Sequence, residues 1–222
     1  MENKLLNQEI LGQLKEIFTQ LKQPVQVLFF GKQTDCEYCN ETLQLTQEVV
    51  ALSDKLSLDV YDLDKNAQLA AQYNVDKAPA LVLVGKDGDQ VVDYGIRFFG
   101  IPSGHEFSSL IHSLILVSGR DSGLSPQTRQ MLSALKKPVH LQVFVTPTCP
   151  YCPQAVMLAH QMALESPLVQ SEMVEAMEFP ELANRFNVSG VPQTTINAGE
   201  GTVVGAYPEE MLLAEIQHAV SH

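Results

Sequence analysis

Residues 149–152 read Cys149-Pro150-Tyr151-Cys152, and the same spacing stands upstream in Cys36-Glu37-Tyr38-Cys39. Working outward, each pair is followed at equal distance by a proline: from Cys39 to Pro79 is 40 residues, and from Cys152 to Pro192 is again 40. The two pairs lie 113 residues apart and use all 4 cysteines of the chain. One Cys-x-x-Cys arises readily by accident. A duplicated one with a matched distant proline implies two copies of one redox module, because dithiol chemistry needs two sulfurs within bonding distance and a shaped groove beside them.

The element pattern repeats with the motif. In the first half, Leu5, Leu6, Ile10, Leu14, Ile17, Phe18 and Leu21 recur at helical spacing until Lys22-Gln23-Pro24 ends the run. Val25 to Phe30 reads as a central strand, and residues 31–35 form a loop that delivers Cys36. A helix from Tyr38 to Leu52, a strand from Leu56 to Asp62 and a short helix from Asn66 to Tyr73 follow. Pro79 then opens the strand Ala80 to Val84, which turns at Lys86-Asp87-Gly88-Asp89 and returns through Val91-Val92. A helix from Glu106 to Val117 closes the half.

The second half runs in the same order. Ser125-Pro126 caps a helix expected to reach about Lys136. Val139 to Val145 is the strand before the second pair, Pro153 to Leu164 the helix after it, Leu168 to Val174 the next strand and Pro180 to Phe186 the short helix. Asn187-Val188 repeats Asn74-Val75 at the same offset of 113. Thr194 to Asn197, a turn at residues 198–201, Val203-Val204 and a helix from Pro208 complete it. The first half carries about 11 extra residues before its last helix, around Ile96 to Gly104, where Phe98 and Phe99 read as core packing. Residues 118–124 are rich in Gly and Ser and mark the boundary, giving an N-terminal unit of residues 1–118 and a C-terminal unit of residues 119–222. The junction is short, so the units are expected to pack together.

Composition narrows the function. At 222 residues the chain can bury one large core or two small ones, and 45% apolar with 18% charged residues is globular. No run approaches the roughly 20 apolar residues of a membrane span. Residues 1–9 have no apolar signal-peptide core, which points to the cytoplasm. Thiols there stay reduced, so a Cys-x-x-Cys is catalytic or metal-binding rather than structural. The net charge of −12 argues against a nucleic-acid partner.

A strand, a loop and a Cys-x-x-Cys at a helix start make a chemical device. The first-turn N–H groups lack intrahelical partners, and the helix dipole adds positive character, so a thiolate there is stabilised. Cys36 and Cys149 are the candidate nucleophiles, and Cys39 and Cys152 the resolving thiols. Pro79 and Pro192 are expected to follow cis bonds beside their dithiols, leaving the backbones of Ala78 and Val191 to pair with an extended substrate strand. Asp35, Glu37 and Glu41 surround Cys36, whereas Thr148 and Pro150 flank Cys149. Negative charge disfavours a thiolate, so Cys149 is expected to be the more acidic nucleophile and the second pair the main contact with protein substrates.

These residues resemble a known family. The order of strand, Cys-x-x-Cys, helix, strand, helix, proline-strand hairpin and final helix looks like the thioredoxin fold, twice, and Cys149-Pro150-Tyr151-Cys152 is the motif of dithiol glutaredoxins. Together with Cys36-Glu37-Tyr38-Cys39 and the segment Tyr94 to Phe107, the arrangement resembles the two-domain, glutaredoxin-like protein disulfide oxidoreductases. The resemblance implies an α/β chain of two tandem thioredoxin-like units, each a mixed central sheet flanked by helices. It also implies reduction, oxidation and isomerisation of protein disulfides, with no cofactor beyond the redox-active disulfides and with a thioredoxin-reductase-type flavoprotein as electron donor. Two features depart from the wider family. Residues 201–210 do not match the Gly-Gly-x-x-Asp turn that holds glutathione. The strands before the dithiols also lack the buried Asp of thioredoxins, and Glu48, Asp59, Asp62, Glu165, Glu172 and Glu175 read as surface charge.

Three other readings compete. Two Cys-x-x-Cys pairs can build a zinc site, and glutaredoxin-like dithiols can hold iron–sulfur clusters, but here each pair opens a helix and none of His105, His112, His140, His160, His218 and His222 adjoins one. A binding module without electron transfer leaves the dithiols unexplained. An electron relay for a peroxidase system, like the tandem region of the alkyl hydroperoxide reductase flavoprotein, is the third; that region keeps a single active pair, and here both are intact.

Overall fold

The computed structural model describes residues 4–221. Residues 1–3, where the segment read for a signal peptide begins, and His222 lie outside the described residues. In chain order the elements are α1 (Gln8–Ile17), β1 (Val25–Gly31), α2 (Cys39–Val50), β2 (Leu56–Asp62), α3 (Ala67–Gln72), β3 (Ala80–Asp87), β4 (Gln90–Phe99) and α4 (Glu106–Gly119). The second half supplies α5 (Pro126–Ser133), β5 (Val139–Val145), α6 (Cys152–Glu165), β6 (Val169–Glu175), α7 (Pro180–Arg185), β7 (Gln193–Ile196), β8 (Gly201–Val204) and α8 (Glu209–Val220).

Local chemistry explains several boundaries. The Asn7 side chain accepts from the Ile10 N–H at 2.9 Å to start α1. Ser125 accepts from Thr128 N–H at 3.2 Å to start α5, with Pro126 in the first turn. The repeated Asn-Val pairs are helix stops. Asn74 and Asn187 take the left-handed conformation, with φ of 54° and 51°. Behind them the Val75 and Val188 N–H groups donate to the Ala70 and Ala183 carbonyls at 2.8 and 2.9 Å.

The eight strands form one continuous sheet in the order β2-β1-β3-β4-β6-β5-β7-β8. The two half-sheets are thus fused edge to edge, where separate sheets in contact were expected. The seam is the parallel pairing of β4 with β6, from Ile96 opposite Ser171 to Phe99 opposite Val174. The strand returning through Val91-Val92 does not stop there. It shifts register against β3 between Leu83 and Val84 and runs on to Phe99, so part of the extra segment of the first half builds the seam. Gly95 makes the shift possible. Its φ is +75°, and a Cβ there would lie 2.6 Å from the Val169 carbonyl oxygen, closer than packed atoms come.

Helices cover both faces, which is why β1 is buried at every position. Val27, Phe29, Leu81, Leu83, Phe98, Val143 and Val145 join the core under α1, α2, α4, α6 and α8. Leu28, Phe30, Val82, Phe99, Phe144 and Val174 pack on the opposite face with Ala70 of α3 and Ala183 of α7. Phe98 and Phe99 are core residues, one on each side, as their sequence setting suggested.

The junction is tied down on both sides. Ser118 Oγ accepts from the Lys22 and Gln23 N–H groups at 2.8 and 3.0 Å and donates to the Gln23 carbonyl. Arg120 donates to the Pro24 carbonyl at 3.0 Å, and Ser122 donates to Glu165. Among the described residues no helix is long and apolar enough to cross a membrane.

Candidate functional site

Each dithiol sits where a parallel strand gives way to a helix. The loop after β1 turns through Asp35 at φ 57° and delivers Cys36, and α2 starts at Cys39. The Lys32 N–H donates to Cys39 Sγ at 3.3 Å. After β5, the Cys149 N–H closes a turn on the Thr146 carbonyl at 3.2 Å. The Cys152 N–H, at the first residue of α6, donates to Cys149 Sγ at 3.1 Å. That donor is one of the first-turn N–H groups expected to stabilise a thiolate. Disulfides join Cys36 to Cys39 and Cys149 to Cys152, each with Cα atoms 5.5 Å apart. Cys36 is half-buried against 5% exposure for Cys39, and Cys149 is 7% exposed against 0% for Cys152, so in each pair the first cysteine is the more exposed residue.

The Ala78–Pro79 and Val191–Pro192 bonds are cis. Ala80 pairs with Phe30 at the end of β1, and Gln193 pairs with Phe144 near the end of β5. Each proline therefore lies beside the loop that carries its dithiol. The matched geometry extends to the proline carbonyls, which accept from Gly100 N–H at 2.9 Å and Gly205 N–H at 2.7 Å.

Strand directions place both sites at one end of the molecule. β1 is antiparallel to β3, and β3 to β4; β4 is parallel to β6, and β6 to β5. β1 and β5 therefore run the same way, with three strands between them. At about 4.8 Å per spacing, their ends stand about 19 Å apart. Two sulfurs must touch to exchange, so electrons do not pass directly between the pairs in this arrangement.

β6 and the loop after it hold carboxylates that read in the sequence as surface charge or carry no signal there. Glu172 and Glu175 are 3% and 4% exposed, because β6 is an interior strand of the fused sheet and not an edge. Glu175 accepts from Glu178 N–H at 2.6 Å, and Glu178 accepts from Ile101 N–H at 2.7 Å across the seam. Burial pushes the Glu178 carboxyl up to about 7, with the Glu175 and Glu37 charges adding to the shift. The Tyr38 hydroxyl is raised by Glu37 first, and also by Glu178 and Glu175. These two glutamates of the second half thus stand at the first dithiol. The one hint in the sequence is the repeat: Asp62 occupies the place of Glu175, and likewise accepts backbone N–H groups, from Asp64 and Lys65.

Nothing in the sequence pattern marks Glu106. It opens α4 at 1% exposure, next to His105, whose N–H donates to the Pro147 carbonyl in the loop before Cys149. Ser109 donates to Glu106 Oε2 at 2.6 Å, while Oε1 is buried without a partner. Burial pushes its carboxyl up to about 7, opposed only by Ser109. The folded state therefore holds a proton that the unfolded chain releases near the ordinary value of 4.5. Stability falls as pH rises from about 4.5 to about 7 and then levels off. Glu106→Gln should remove about 2–3 kcal/mol of that fall, seen by denaturant unfolding at pH 5 and pH 8. An unchanged pH dependence would place the carboxyl in contact with water.

His160 is fully buried. Its ring meets Phe98 at 5.0 Å and Ser113 Oγ at 2.9 Å, and burial lowers it to about 3, so it is a packing residue. Among the described residues no group of His, Cys, Asp and Glu side chains is arranged to hold a metal ion.

Comparison with known proteins adds to this geometry. The family model of a thioredoxin domain matches residues 24–111 and again 139–218. A protein disulfide oxidoreductase from Aeropyrum pernix has a similar structure, with a TM-score of 0.89 and 31% identity over 100% of this chain and 97% of that one. The NTD_N/C domain of an alkylhydroperoxide reductase from Enterococcus faecalis superposes with a TM-score of 0.86 at 29% identity, covering 95% of this chain and 99% of that one. An alkyl hydroperoxide reductase of Pseudomonas aeruginosa is 26% identical over 212 residues, which are 96% of this chain and 37% of that protein. The chain spans a little over a third of the length of the curated relatives it matches.

Proposed function

This chain belongs to the thioredoxin-domain family, and we propose that it is a thiol–disulfide oxidoreductase acting on protein disulfides through both dithiols. The observation that carries this reading is the pair of Cys-x-x-Cys disulfides, each at a helix start with its first cysteine the more exposed, on one end of a shared sheet. The catalytic residues are Cys36, Cys39, Cys149 and Cys152, and Ala78-Pro79 and Val191-Pro192 form the substrate edges. The working units are residues 1–118 and 119–222.

In the reducing direction, the Cys36 or Cys149 thiolate attacks one sulfur of the substrate disulfide. A mixed disulfide forms, and the other substrate sulfur leaves as a thiolate and takes a proton. The Cys39 or Cys152 thiol loses its proton and attacks the nucleophile's sulfur, which expels the second substrate thiolate. Two electrons have passed to the substrate, and the enzyme pair is a disulfide. Glu106, on the helix tied to the loop before Cys149, and Glu178, across the seam by the first substrate edge, have carboxyls raised to about 7 and so exchange protons near neutral pH. The dithiols carry the electrons, and the recharging partner is a thioredoxin-reductase-type flavoprotein. Thiols kept ready for this cycle fit a cytoplasmic setting.

The pre-reduced chain should reduce insulin disulfides stoichiometrically, two per chain. One should remain in Cys36→Ser/Cys39→Ser and one in Cys149→Ser/Cys152→Ser. Free, titratable thiols that leave insulin untouched would overturn the reading. The Cys149 thiol should also be the more acidic nucleophile, because Asp35, Glu37 and Glu41 surround Cys36, and Glu178, part-ionised near neutral pH, adds to them. Thiolate absorbance in chains that keep only one pair decides this; an equal or greater acidity at Cys36 rejects it.

The likeness to alkylhydroperoxide reductase supports a second reading, a relay that passes electrons from a flavoprotein to a peroxide-reducing partner. A relay of that kind would transfer to a peroxidase disulfide far faster than to insulin.

A further inference from the structure

We propose that the groove of the first dithiol is an acidic docking surface that selects protein segments carrying Lys or Arg beside their cystine, and that the second groove makes no such selection. This rests on the oxidoreductase reading and names the substrate class of its first site.

Acidic groups converge on Cys36 from two halves of the chain. Asp35, Glu37 and Glu41 are exposed around the first helix turn. Glu175 and Glu178 arrive from beyond β6. Their placement is fixed by Gly100, whose N–H donates to the Pro79 carbonyl at 2.9 Å. A Cβ on Gly100 would lie 2.6 Å from Glu175 Cβ and 2.8 Å from Glu178 Oε1, so both side chains pack one residue away from the first substrate edge. The Tyr38 hydroxyl, between the two cysteines in sequence, feels Glu37, Glu178 and Glu175 together.

The cluster is not neutralised from within. Among the described residues none of these five carboxylates forms an ion pair. The nearby bases are engaged elsewhere: Lys32 with Asp64 at 3.5 Å, and Lys77 with Asp76 at 2.6 Å and the Phe99 ring at 3.7 Å. Glu175 is 4% exposed, and its Oε1 has no hydrogen-bond partner. Burial raises the Glu175 and Glu178 carboxyls, and a cationic side chain laid along the groove would draw both toward the ionised form.

The second groove is different. Residues 146–154 and 189–192 contain no Asp, Glu, Lys or Arg, and Tyr151 is 67% exposed beside Cys149. Its contacts with a client are apolar and indifferent to charge.

The test uses three short peptide disulfides that differ only in having Lys, Gln or Glu on both sides of the cystine. Each is reduced by pre-reduced Cys149→Ser/Cys152→Ser, which keeps the first pair, and by pre-reduced Cys36→Ser/Cys39→Ser, which keeps the second. In the step followed, enzyme thiolate sulfur bonds to peptide sulfur, the peptide disulfide breaks, and the enzyme pair ends oxidised. Flanking charge also alters the peptide thiol as a leaving group, so the second pair serves as the internal reference. Relative to that reference, the first pair should favour Lys over Gln by about tenfold at low salt, and the preference should shrink in 0.5 M NaCl. Glu37→Gln/Glu178→Gln in the chain keeping the first pair should lower it to about threefold or less. Equal Lys-to-Gln ratios at the two pairs, with the Gln peptide still reduced, would overturn this inference and leave the oxidoreductase reading standing. Failure of both pairs to reduce any peptide would overturn both.

Discussion

With Cys36 and Cys149 both replaced by serine, disulfide exchange will fall by about three orders of magnitude or more, because a hydroxyl is scarcely ionised at neutral pH and the attacking species is a thiolate. The fold will persist. Each disulfide closes a loop between cysteines 3 residues apart in sequence, so its loss releases little chain entropy. Each substitution also exchanges sulfur for oxygen at the more accessible end of its pair. The measurement is insulin reduction alongside thermal unfolding of the reduced proteins. Activity within tenfold of the parent would show that the remaining cysteines, Cys39 and Cys152, are the nucleophiles.

The second large effect concerns the seam. Arg97 is 1% exposed on β4. It grips Asp93 through both Nη atoms at 2.8 and 2.6 Å and donates from Nε to the Tyr73 carbonyl at 2.8 Å, which ties the seam strand to the end of α3. Arg97→Leu leaves that carbonyl without its donor and Asp93 without its ion-pair partner, with only the Gly95 N–H still donating to it at 2.9 Å. Removing one member of a buried pair costs about 3–5 kcal/mol. With the Asp93 side chain 33% exposed, the lower end of that range applies. For a chain of this length the melting temperature should drop by on the order of 10 °C. Arg97→Lys should recover part of it, since one ammonium replaces a two-pronged contact. A loss below 1 kcal/mol, read by denaturant unfolding, would mean that the contact is solvated and the seam is held by Ile96, Phe98 and Phe99 alone.

The parts legible in the sequence share a short range. The Cys-x-x-Cys spacing, the Ser125-Pro126 start, the Asn-Val stops and the alternation of strands with helices are all decided within a few residues, and the repeat at offset 113 multiplied their weight. The prolines were readable only because two copies agreed on a distance of 40 residues. The seam was not readable. β4 finds its partner in β6, far along the chain, and its own pattern is broken by Gly95 and a register shift, so residues 96–99 looked like part of an insertion. The carboxylates failed for the same reason. Glu172 and Glu175 look like surface charge on an edge strand until fusion of the half-sheets makes β6 interior, and Glu106 is an ordinary first-turn acid until α4 packs.

Covalent trapping tests the central claim, nucleophilic exchange with protein disulfides at both ends of one rim, most directly. Two chains are needed, one with Cys39→Ser in a Cys149→Ser/Cys152→Ser background and one with Cys152→Ser in a Cys36→Ser/Cys39→Ser background. Each is mixed with insulin, alkylated and mapped by peptide mass. The account predicts insulin joined to Cys36 in the first chain and to Cys149 in the second. No adduct from either chain, with insulin trapped instead by companion variants that keep only Cys39 or only Cys152, would contradict it.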